Sequence, residues 1–291
     1  MLEGFDTRRI DVDGVEIFVA TAGKGPPLLL LHGYPETHLM WHKVAPQLAR
    51  RYRVVCPDLR GYGDSAKPAH GADHAAYSKR AMAADVLGLM RALGHETFFV
   101  AGHDRGGRVA YRLALDHPAA VQKLALLDIV STKAVYEADS MALAEAYFHW
   151  YFLIQPAPFP ETLIGADPKY WLDTIFGKWA KKPEVFDAAA LAEYLRVFSD
   201  PACIHATCEC YRAGATVDLE NDRKDVAAGR KIACDSLILW GAEGVVGRIF
   251  KPLDTWRDLI AHPQGQALPC GHFLPEEAPE ETLAALLAFF G

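Results

Sequence analysis

The chain has 291 residues, of which 51% are apolar and 23% are charged. This composition is ordinary for a globular protein, and it excludes a disordered chain and a collagen-like chain. Acidic residues (37) outnumber basic ones (30), so the net charge is −7 and the composition offers no basic surface for nucleic acid.

The first part of the sequence alternates strand-like and helix-like segments. Short apolar runs predict strands over 15–20, 27–31, 52–56 and 97–101. Apolar residues at helical spacing predict helices over 41–48 and 78–93, and a helix over 109–116 followed by a strand over 123–130 continues the pattern. Such alternation is typical of a parallel sheet with helices on both faces.

The pattern changes between residues 131 and 225. Aliphatic runs disappear there, and aromatic residues stand in helix-compatible segments such as 142–153 and 188–197. A buried strand is predicted over 236–240, followed by helices over 256–260 and 280–290. The sequence therefore predicts an α/β fold with a discontinuous core, residues 1–130 and 226–291. A helical cap, residues 131–225, is inserted after the sixth core strand.

A candidate nucleophile stands in the segment 102–108, which reads Gly-His-Asp-Arg-Gly-Gly-Arg between a predicted strand and a predicted helix. In a G-x-nucleophile-x-G turn, glycines relieve crowding around the strained central residue, here Asp104. A carboxylate is already anionic, and its attack on a saturated carbon forms an ester that water hydrolyses, whereas a serine would form a stable ether. The helix N-terminus favours the ionised carboxylate. We therefore expect Asp104 to attack an sp3 carbon.

Three further groups complete a candidate catalytic set. The segment 32–35, His-Gly-Tyr-Pro, follows a strand, and we expect the backbone N–H groups of Tyr34 and Arg105 to form an oxyanion hole. His272 follows the nucleophile in chain order and is predicted to activate water as a general base. The acid that orients His272 is either Asp128, at the end of a strand, or Glu243, and Asp128 is the preferred candidate.

With these residues placed, the chain resembles the α/β-hydrolases and, more narrowly, the fluoroacetate dehalogenases, also called haloacetate dehalogenases. The resemblance covers essentially the whole length. It implies hydrolytic removal of halide from a 2-haloacetate, a cytoplasmic location and a homodimer. Besides the motifs above, it rests on segments 58–63, 114–118, 149–152, 155–158 and 211–214.

Two arginines and three ring side chains are the candidate substrate-binding residues. Arg105 and Arg108 are three positions apart on a helix, so both guanidinium groups can face one cavity and hold a substrate carboxylate. Because fluoride is strongly hydrated, the site must also supply hydrogen-bond donors to the leaving ion. The resemblance implies that these donors, which form the halide pocket, come from His149, Trp150 and Tyr211.

Two other functions stay open from the sequence. An epoxide hydrolase shares the aspartate, the histidine and the cap, and Tyr147, Tyr151 and Tyr211 are candidate acids for protonating an alkoxide. The arginine pair, however, has no role toward a neutral epoxide. A catalytically silent ligand receptor with the same fold would tolerate loss of His272. A serine esterase is disfavoured because the turn carries no serine.

The cysteines and the lengths of the apolar runs indicate whether the chain forms disulfides, binds metal or contacts a membrane. A protein of this size does not need disulfides, so we expect free thiols; Cys203, Cys208 and Cys210 cluster without a complete zinc spacing. We expect no metal and no cofactor. The longest aliphatic run, 28–31, is far too short to span a bilayer and no export signal is visible, so we expect a soluble protein that does not contact a membrane. The resemblance implies that its partners are a small anionic haloacid and water.

Overall fold

The computed structural model describes residues 2–291. Eight strands form one sheet in the order β1-β2-β4-β3-β5-β6-β7-β8. The pairs β1–β2 and β2–β4 are antiparallel and all other neighbouring pairs are parallel, so the prediction of a mostly parallel sheet is confirmed. The strands are β1 (Asp6–Val12), β2 (Val15–Ala22), β3 (Pro27–Leu31), β4 (Arg53–Pro57), β5 (Phe98–His103), β6 (Val121–Leu127), β7 (Asp235–Gly241) and β8 (Gln264–Leu268).

The sheet is flanked by helices, and a run of helices separates β6 from β7 in the sequence. The helices are α1 (Ala45–Leu48), α2 (Lys79–Ala92), α3 (Asp104–Asp116), α4 (Thr132–Tyr136), α5 (Met141–Ala146), α6 (Phe148–Phe152), α7 (Phe159–Ala166), α8 (Pro168–Trp179), α9 (Ala188–Phe198), α10 (Pro201–Ala213), α11 (Leu219–Ala227), α12 (Val245–Ile249), α13 (Pro252–Trp256), α14 (Leu274–Glu277) and α15 (Pro279–Phe290). A π-helical turn, Gly214–Asp218, joins α10 to α11.

The central strands read as aliphatic runs because both faces of the sheet are covered. The four leucines of β3 are fully buried, as are the leucines that end β6. Parallel strands end at one edge of the sheet. The loops that follow β3, β5, β6, β7 and β8 therefore meet there, and these loops carry the candidate catalytic residues.

Several predicted boundaries need correction. The expected cap boundary at residue 225 falls inside α11, which ends at Ala227. The single helix predicted over 41–48 is a 3-10 turn, His38–Trp41, followed by α1, and the helix predicted over 142–153 is divided into α5 and α6. The helix predicted over 256–260 is wrong. Proline starts α13 at residue 252 and the helix ends at Trp256, while Ile260 forms a bridge with Ile232.

Other features bear on the environment of the chain. Within residues 2–291, no helix is long and apolar enough to cross a membrane. All six cysteines are free thiols, and five of them are buried.

Candidate active site

The turn between β5 and α3 holds Asp104 in a strained backbone conformation. Its φ of +44° lies in the left-handed region, which is unfavourable for a residue with a Cβ atom. Tight packing around the turn maintains this conformation. A Cβ atom on Gly102 would lie 2.5 Å from the carbonyl oxygen of Gly106, and one on Gly106 would lie 2.4 Å from that of His32. Only glycine fits at either position.

Asp104 is 7% exposed, and within residues 2–291 its carboxylate makes one hydrogen bond. Its Oδ1 atom accepts from the backbone N–H of Tyr34 at 2.9 Å. Burial alone would raise the pKa of Asp104, but the positive charge of Arg105 and the nearby imidazoles hold it well below its usual value. Asp104 is therefore a carboxylate. The N–H of Arg105 lies in the first turn of α3, where backbone donors have no acceptor within the helix.

His272 lies in the loop after β8 and lines the same cavity as Asp104. Its Nδ1 atom lies 2.6 Å from Oδ2 of Asp128, and Oδ1 of Asp128 accepts from the backbone N–H of Gly241 at 2.9 Å. The buried Nε2 atom has no hydrogen-bond partner among the described residues, and its ring lines the same cavity as Asp104. Burial lowers the pKa of His272, but the hydrogen bond and charge of Asp128 outweigh burial and raise it. The alternative acid, Glu243, is exposed at the cavity wall.

Arg105 is a buried cation with an open hydrogen-bonding capacity. Its side chain is fully buried, and its guanidinium carbon lies 3.4 Å from the centre of the Tyr211 ring and 4.7 Å from that of Trp150. None of its three side-chain nitrogens makes a hydrogen bond within residues 2–291. A desolvated charge without hydrogen bonds is costly, so this arrangement is suited to an incoming anion.

Arg108 packs against the Trp150 ring but also donates hydrogen bonds within the protein. Its guanidinium carbon is 4.5 Å from the centre of the Trp150 ring. Its Nη1 atom donates to the carbonyl oxygen of Val130 at 3.0 Å and to the hydroxyl of Thr132 at 3.2 Å. The buried Nε atom has no partner in the described chain. Arg108 therefore braces the segment after β6 and retains a donor for a ligand.

The three candidate halide-binding residues come together in one aromatic cluster. The ring of Tyr211 lies 5.7 Å from that of His149 and 5.9 Å from that of Trp150, measured between centres. The Nδ1 atom of His149 and the hydroxyl of Tyr211 are buried without a partner among residues 2–291. Burial and the charge of Arg105 hold the pKa of His149 well below its usual value, so this imidazole is neutral. His149 and Tyr211 therefore each offer a buried polar atom to a ligand.

Trp179 is a site residue that sequence reasoning missed. Its ring centre lies 4.5 Å from that of His149 and 5.3 Å from that of His272, and its carbonyl oxygen accepts from the backbone N–H of His272. Its buried indole N–H has no acceptor in the part of the chain described. No sequence signal distinguished it, because a tryptophan at the end of a helix is usually a core residue.

The cavity is narrow and its outer wall is basic. The volume open to the centres of water-sized molecules is about 20 Å³. Asp104 and His272 lie in its wall with Tyr147, His149, Trp150 and Trp179, and the wall also contains Gly244, Val245 and the charged residues Lys178, Lys181, Glu243 and Arg248. Arg105, Arg108 and Tyr211 are not part of this lining. Tyr151, in contrast, is 39% exposed. Tyr147 and Tyr211 thus remain as the candidate residues for protonating an alkoxide formed from an epoxide.

Comparison with known proteins places the chain in a family. The model for the alpha/beta hydrolase fold matches residues 26–279. A protein of Burkholderia sp named fluoroacetate dehalogenase is 47% identical over 99% of this chain and 95% of its own length. A soluble epoxide hydrolase of Corynebacterium sp. (strain C12) is 36% identical over 96% of this chain and 95% of its own. The crystal structure of an alpha/beta hydrolase from Nostoc sp PCC 7120 superposes with a TM-score of 0.98 and 55% identity, covering 100% of this chain and 99% of that one. The resemblance seen in the sequence is confirmed.

Proposed function

The chain belongs to the α/β-hydrolase family, and from that premise we propose that it is a haloacetate dehalogenase, which hydrolyses fluoroacetate to glycolate and fluoride. The observation that carries the proposal is the buried guanidinium of Arg105, next to Asp104 and without a hydrogen-bond partner within residues 2–291. A substrate with its own carboxylate supplies the missing anion and brings its α-carbon to the nucleophile. The identity with a fluoroacetate dehalogenase supports the same substrate class.

In the first step, Asp104 displaces the halide. Its Oδ2 atom attacks the α-carbon while Oδ1 stays hydrogen-bonded to the N–H of Tyr34. The carbon–halogen bond breaks and the halide leaves with the electron pair. His149, Trp150 and Tyr211 donate hydrogen bonds to the leaving ion, and these donors replace the water that a hydrated fluoride would need. The step yields an ester between Asp104 and a carboxymethyl group.

In the second step, water hydrolyses this ester. The Nε2 atom of His272 takes a proton from water, and the water oxygen attacks the carboxyl carbon of Asp104. Negative charge develops on Oδ1, where the N–H groups of Tyr34 and Arg105 stabilise it. The intermediate then expels glycolate, whose new hydroxyl oxygen is the former Oδ2, and His272 returns the proton. The aspartate keeps the oxygen that came from water.

Substrate selectivity follows from charge and size. Arg105 and Arg108 bind the carboxylate of a short acid, and Trp150 packs against both guanidinium groups. The rings of Tyr147, His149, Trp150 and Trp179 line the cavity and favour a short acid over longer ones. We therefore propose 2-haloacetates, rather than halogenated alkanes, as substrates.

Epoxide hydrolysis is the second candidate function. Tyr147 lines the cavity and the hydroxyl of Tyr211 is buried without a partner in the described chain, so two phenols are available to protonate an alkoxide. The soluble epoxide hydrolase relative supports this candidate. The unpaired charge of Arg105 argues against it, because a neutral epoxide gives that charge no partner.

One experiment separates the two candidates. The protein is incubated with fluoroacetate and with styrene oxide, and release of fluoride or of the diol is followed. We expect fluoride release that is abolished by Asp104→Asn, with little diol. Diol formation without fluoride release would favour epoxide hydrolysis, and no turnover of either would favour a silent receptor.

We also propose that the protein is a cytoplasmic homodimer. Six free thiols fit a reducing compartment. Phe159 and Leu163 on the cap are each 54% exposed and offer an apolar contact between two copies. Sedimentation equilibrium is expected to give twice the chain mass, and a monomer mass would contradict the proposal.

A further inference from the structure

A histidine cluster outside the active site joins the cap to the core. His70 and His74 lie in the loop between β4 and α2, while Glu209 lies on α10 of the cap. Nδ1 of His74 is 2.7 Å and Nδ1 of His70 is 3.0 Å from the same oxygen, Oε2 of Glu209. One ligand atom from each of the three residues lies within 4.8 Å of the others. Atoms bound tetrahedrally to one zinc ion stand on the order of 3.3 Å apart. The three ligand atoms are close enough to share an ion, which would slightly widen the two nitrogen–oxygen contacts.

The hydrogen bonds around the cluster extend it to a second carboxylate. Nε2 of His70 lies 2.8 Å from Nε2 of His205, and Nδ1 of His205 lies 2.9 Å from Oε1 of Glu161. Two imidazoles therefore stand in line between the carboxylates of Glu161 and Glu209. The line has three links, from Glu161 to His205, from His205 to His70, and from His70 to Glu209.

The hydrogen bonds of this line can leave Nδ1 of His70 available to a metal ion. If His205 donates to Glu161 and His70 donates to His205, then Nδ1 of His70 presents a lone pair to the carboxylate of Glu209. The carbonyl oxygen of Gly71, 3.1 Å from this Nδ1, adds a further lone pair. A cation between these atoms removes the repulsion.

We propose that His70, His74 and Glu209 bind a divalent transition-metal ion, of which zinc is the simplest case. Imidazole nitrogens with one carboxylate oxygen are a common ligand set for such ions. His70 and His74 bind through Nδ1, and water completes the coordination. The His70 N–H then donates to His205, whose own N–H donates to Glu161, which is the outer support that metal-binding histidines usually have.

The surroundings of the cluster fit this assignment. The Glu209 side chain is 1% exposed and its other oxygen, Oε1, accepts from Arg212 at 2.7 Å, so Oε2 is held in place toward the histidines. The side chains of His70 and His74 are 28% and 26% exposed, which leaves an entry path and room for water. His74 has a φ of +58°, a strained conformation that is maintained at the cluster.

A metal at this position would tie two parts of the fold together. His74 and Glu209 are 135 residues apart in the sequence, one in the core and one in the cap. Tyr211, which covers Arg105, follows Glu209 by two residues on α10. The bound ion therefore stabilises the cap helix that carries part of the active site, although the site itself takes no part in the proposed chemistry.

The test is zinc binding by the full chain after dialysis against EDTA. Titration calorimetry at neutral pH is expected to give one zinc ion per chain, and His70→Ala and His74→Ala are each expected to weaken binding at least tenfold. His262→Ala, which removes an exposed histidine between α13 and β8 that is not one of the proposed ligands, is the control and should keep the parent affinity. Zinc is also expected to raise the midpoint of thermal unfolding of the parent and of His262→Ala, but not of His74→Ala.

Two results would overturn the proposal. One is the absence of zinc binding. The other is zinc binding that all three variants retain, because the ion then lies elsewhere. Cobalt provides a second measurement should an alanine variant unfold: its visible absorption bands should appear in the parent and be lost in Glu209→Gln, and identical bands in both would exclude Glu209 as a ligand.

Discussion

Asp128 and His272 are 144 residues apart in the sequence, yet Oδ2 of the aspartate lies 2.6 Å from Nδ1 of the histidine. The other carboxylate oxygen of Asp128 accepts from the backbone of Gly241, so the acid is fixed at the end of the sheet between two neighbouring loops. Glu243, the other candidate from the sequence, is exposed at the wall of the cavity. The geometry supports Asp128 as the residue that orients His272.

The first prediction concerns this acid. Asp128→Asn keeps the shape of the side chain but removes the charge that stabilises the His272 imidazolium during ester hydrolysis. Since general-base catalysis contributes about 10²- to 10⁴-fold, we expect steady-state kcat to fall by about 100-fold or more. Glu243→Gln is the matched control and should leave kcat within about twofold. The opposite ranking of the two variants would assign the orienting role to Glu243.

The second prediction concerns pH. Asp128 raises the pKa of His272 although burial lowers it, and His272 must be neutral to accept a proton from water. The rate of ester hydrolysis should therefore increase with pH through a pKa above the ordinary imidazole value of about 6.5. Asp128→Asn should move this limb to lower pH, as a pH series of single-turnover hydrolysis would show.

The same pKa shift affects stability with a defined sign. A histidine with a raised pKa in the folded state binds its proton more tightly there than in the unfolded chain. Its contribution to the free energy of unfolding is therefore fully present below the unfolded pKa and is lost as pH rises through the folded one. Comparison of the parent with His272→Asn by urea unfolding between pH 5 and 9, a window of about four units around the imidazole pKa, measures this contribution. Parallel pH profiles for both proteins would contradict it.

The third prediction is an accumulating covalent intermediate. His272→Asn removes the base for the second step but leaves Asp104 ionised, because Arg105 and Arg108 remain to lower its pKa. Intact-mass spectrometry after incubation with a 2-haloacetate should show an added carboxymethyl group, and peptide mapping should locate it on Asp104. Normal multiple turnover by this variant would remove His272 from the mechanism.

The fourth prediction separates the recognition of charge from the displacement itself. Arg105→Met keeps an unbranched side chain against Tyr211 but removes the buried cation. Because loss of one partner of a buried ion pair costs about 3–5 kcal/mol, kcat/KM for 2-chloroacetate should fall by about 100-fold or more. The neutral analogue 2-chloroacetamide serves as the control substrate, and kcat/KM for it should fall far less. Equal losses for both would mean that Arg105 does not bind the carboxylate.

Substitution of Arg108 needs a measurement of stability as well as of activity. It donates to Val130 and Thr132, so Arg108→Leu removes structural hydrogen bonds as well as a charge. We expect lower activity toward 2-chloroacetate together with a lower midpoint of thermal unfolding. A loss of activity with an unchanged midpoint would assign Arg108 to substrate binding alone.

The fifth prediction concerns the wall of the cavity. Lys178, Lys181 and Arg248 are exposed there with one acidic residue, Glu243, although the chain as a whole carries a net charge of −7. A basic mouth attracts an anionic substrate, and salt screens this attraction over about 10 Å at 0.1 M ionic strength. Added salt should lower kcat/KM for 2-chloroacetate more in the parent than in Lys181→Gln. An equal salt effect in the two proteins would argue against steering by this residue.

The sequence predicted the central sheet well because its strands are buried on both faces. It missed β1 and β8. In β1 most side chains are exposed and charged, and β8 has one buried residue, so neither has an apolar pattern. The candidate residues of the motifs were found because the ends of parallel strands share one edge. Trp179 and the histidine cluster were not found, because contacts between a loop and a distant helix leave no characteristic residue spacing in the sequence.

The most direct test of the ester mechanism is a single turnover of a 2-haloacetate in water enriched in ¹⁸O, with the enzyme in excess over substrate. We expect the label to enter the carboxyl group of Asp104 and the released glycolate to be unlabelled, since its new oxygen comes from the aspartate. Label in the glycolate of this first turnover, with none in the enzyme, would mean that water attacks the substrate directly. That result would contradict the formation of an ester on Asp104.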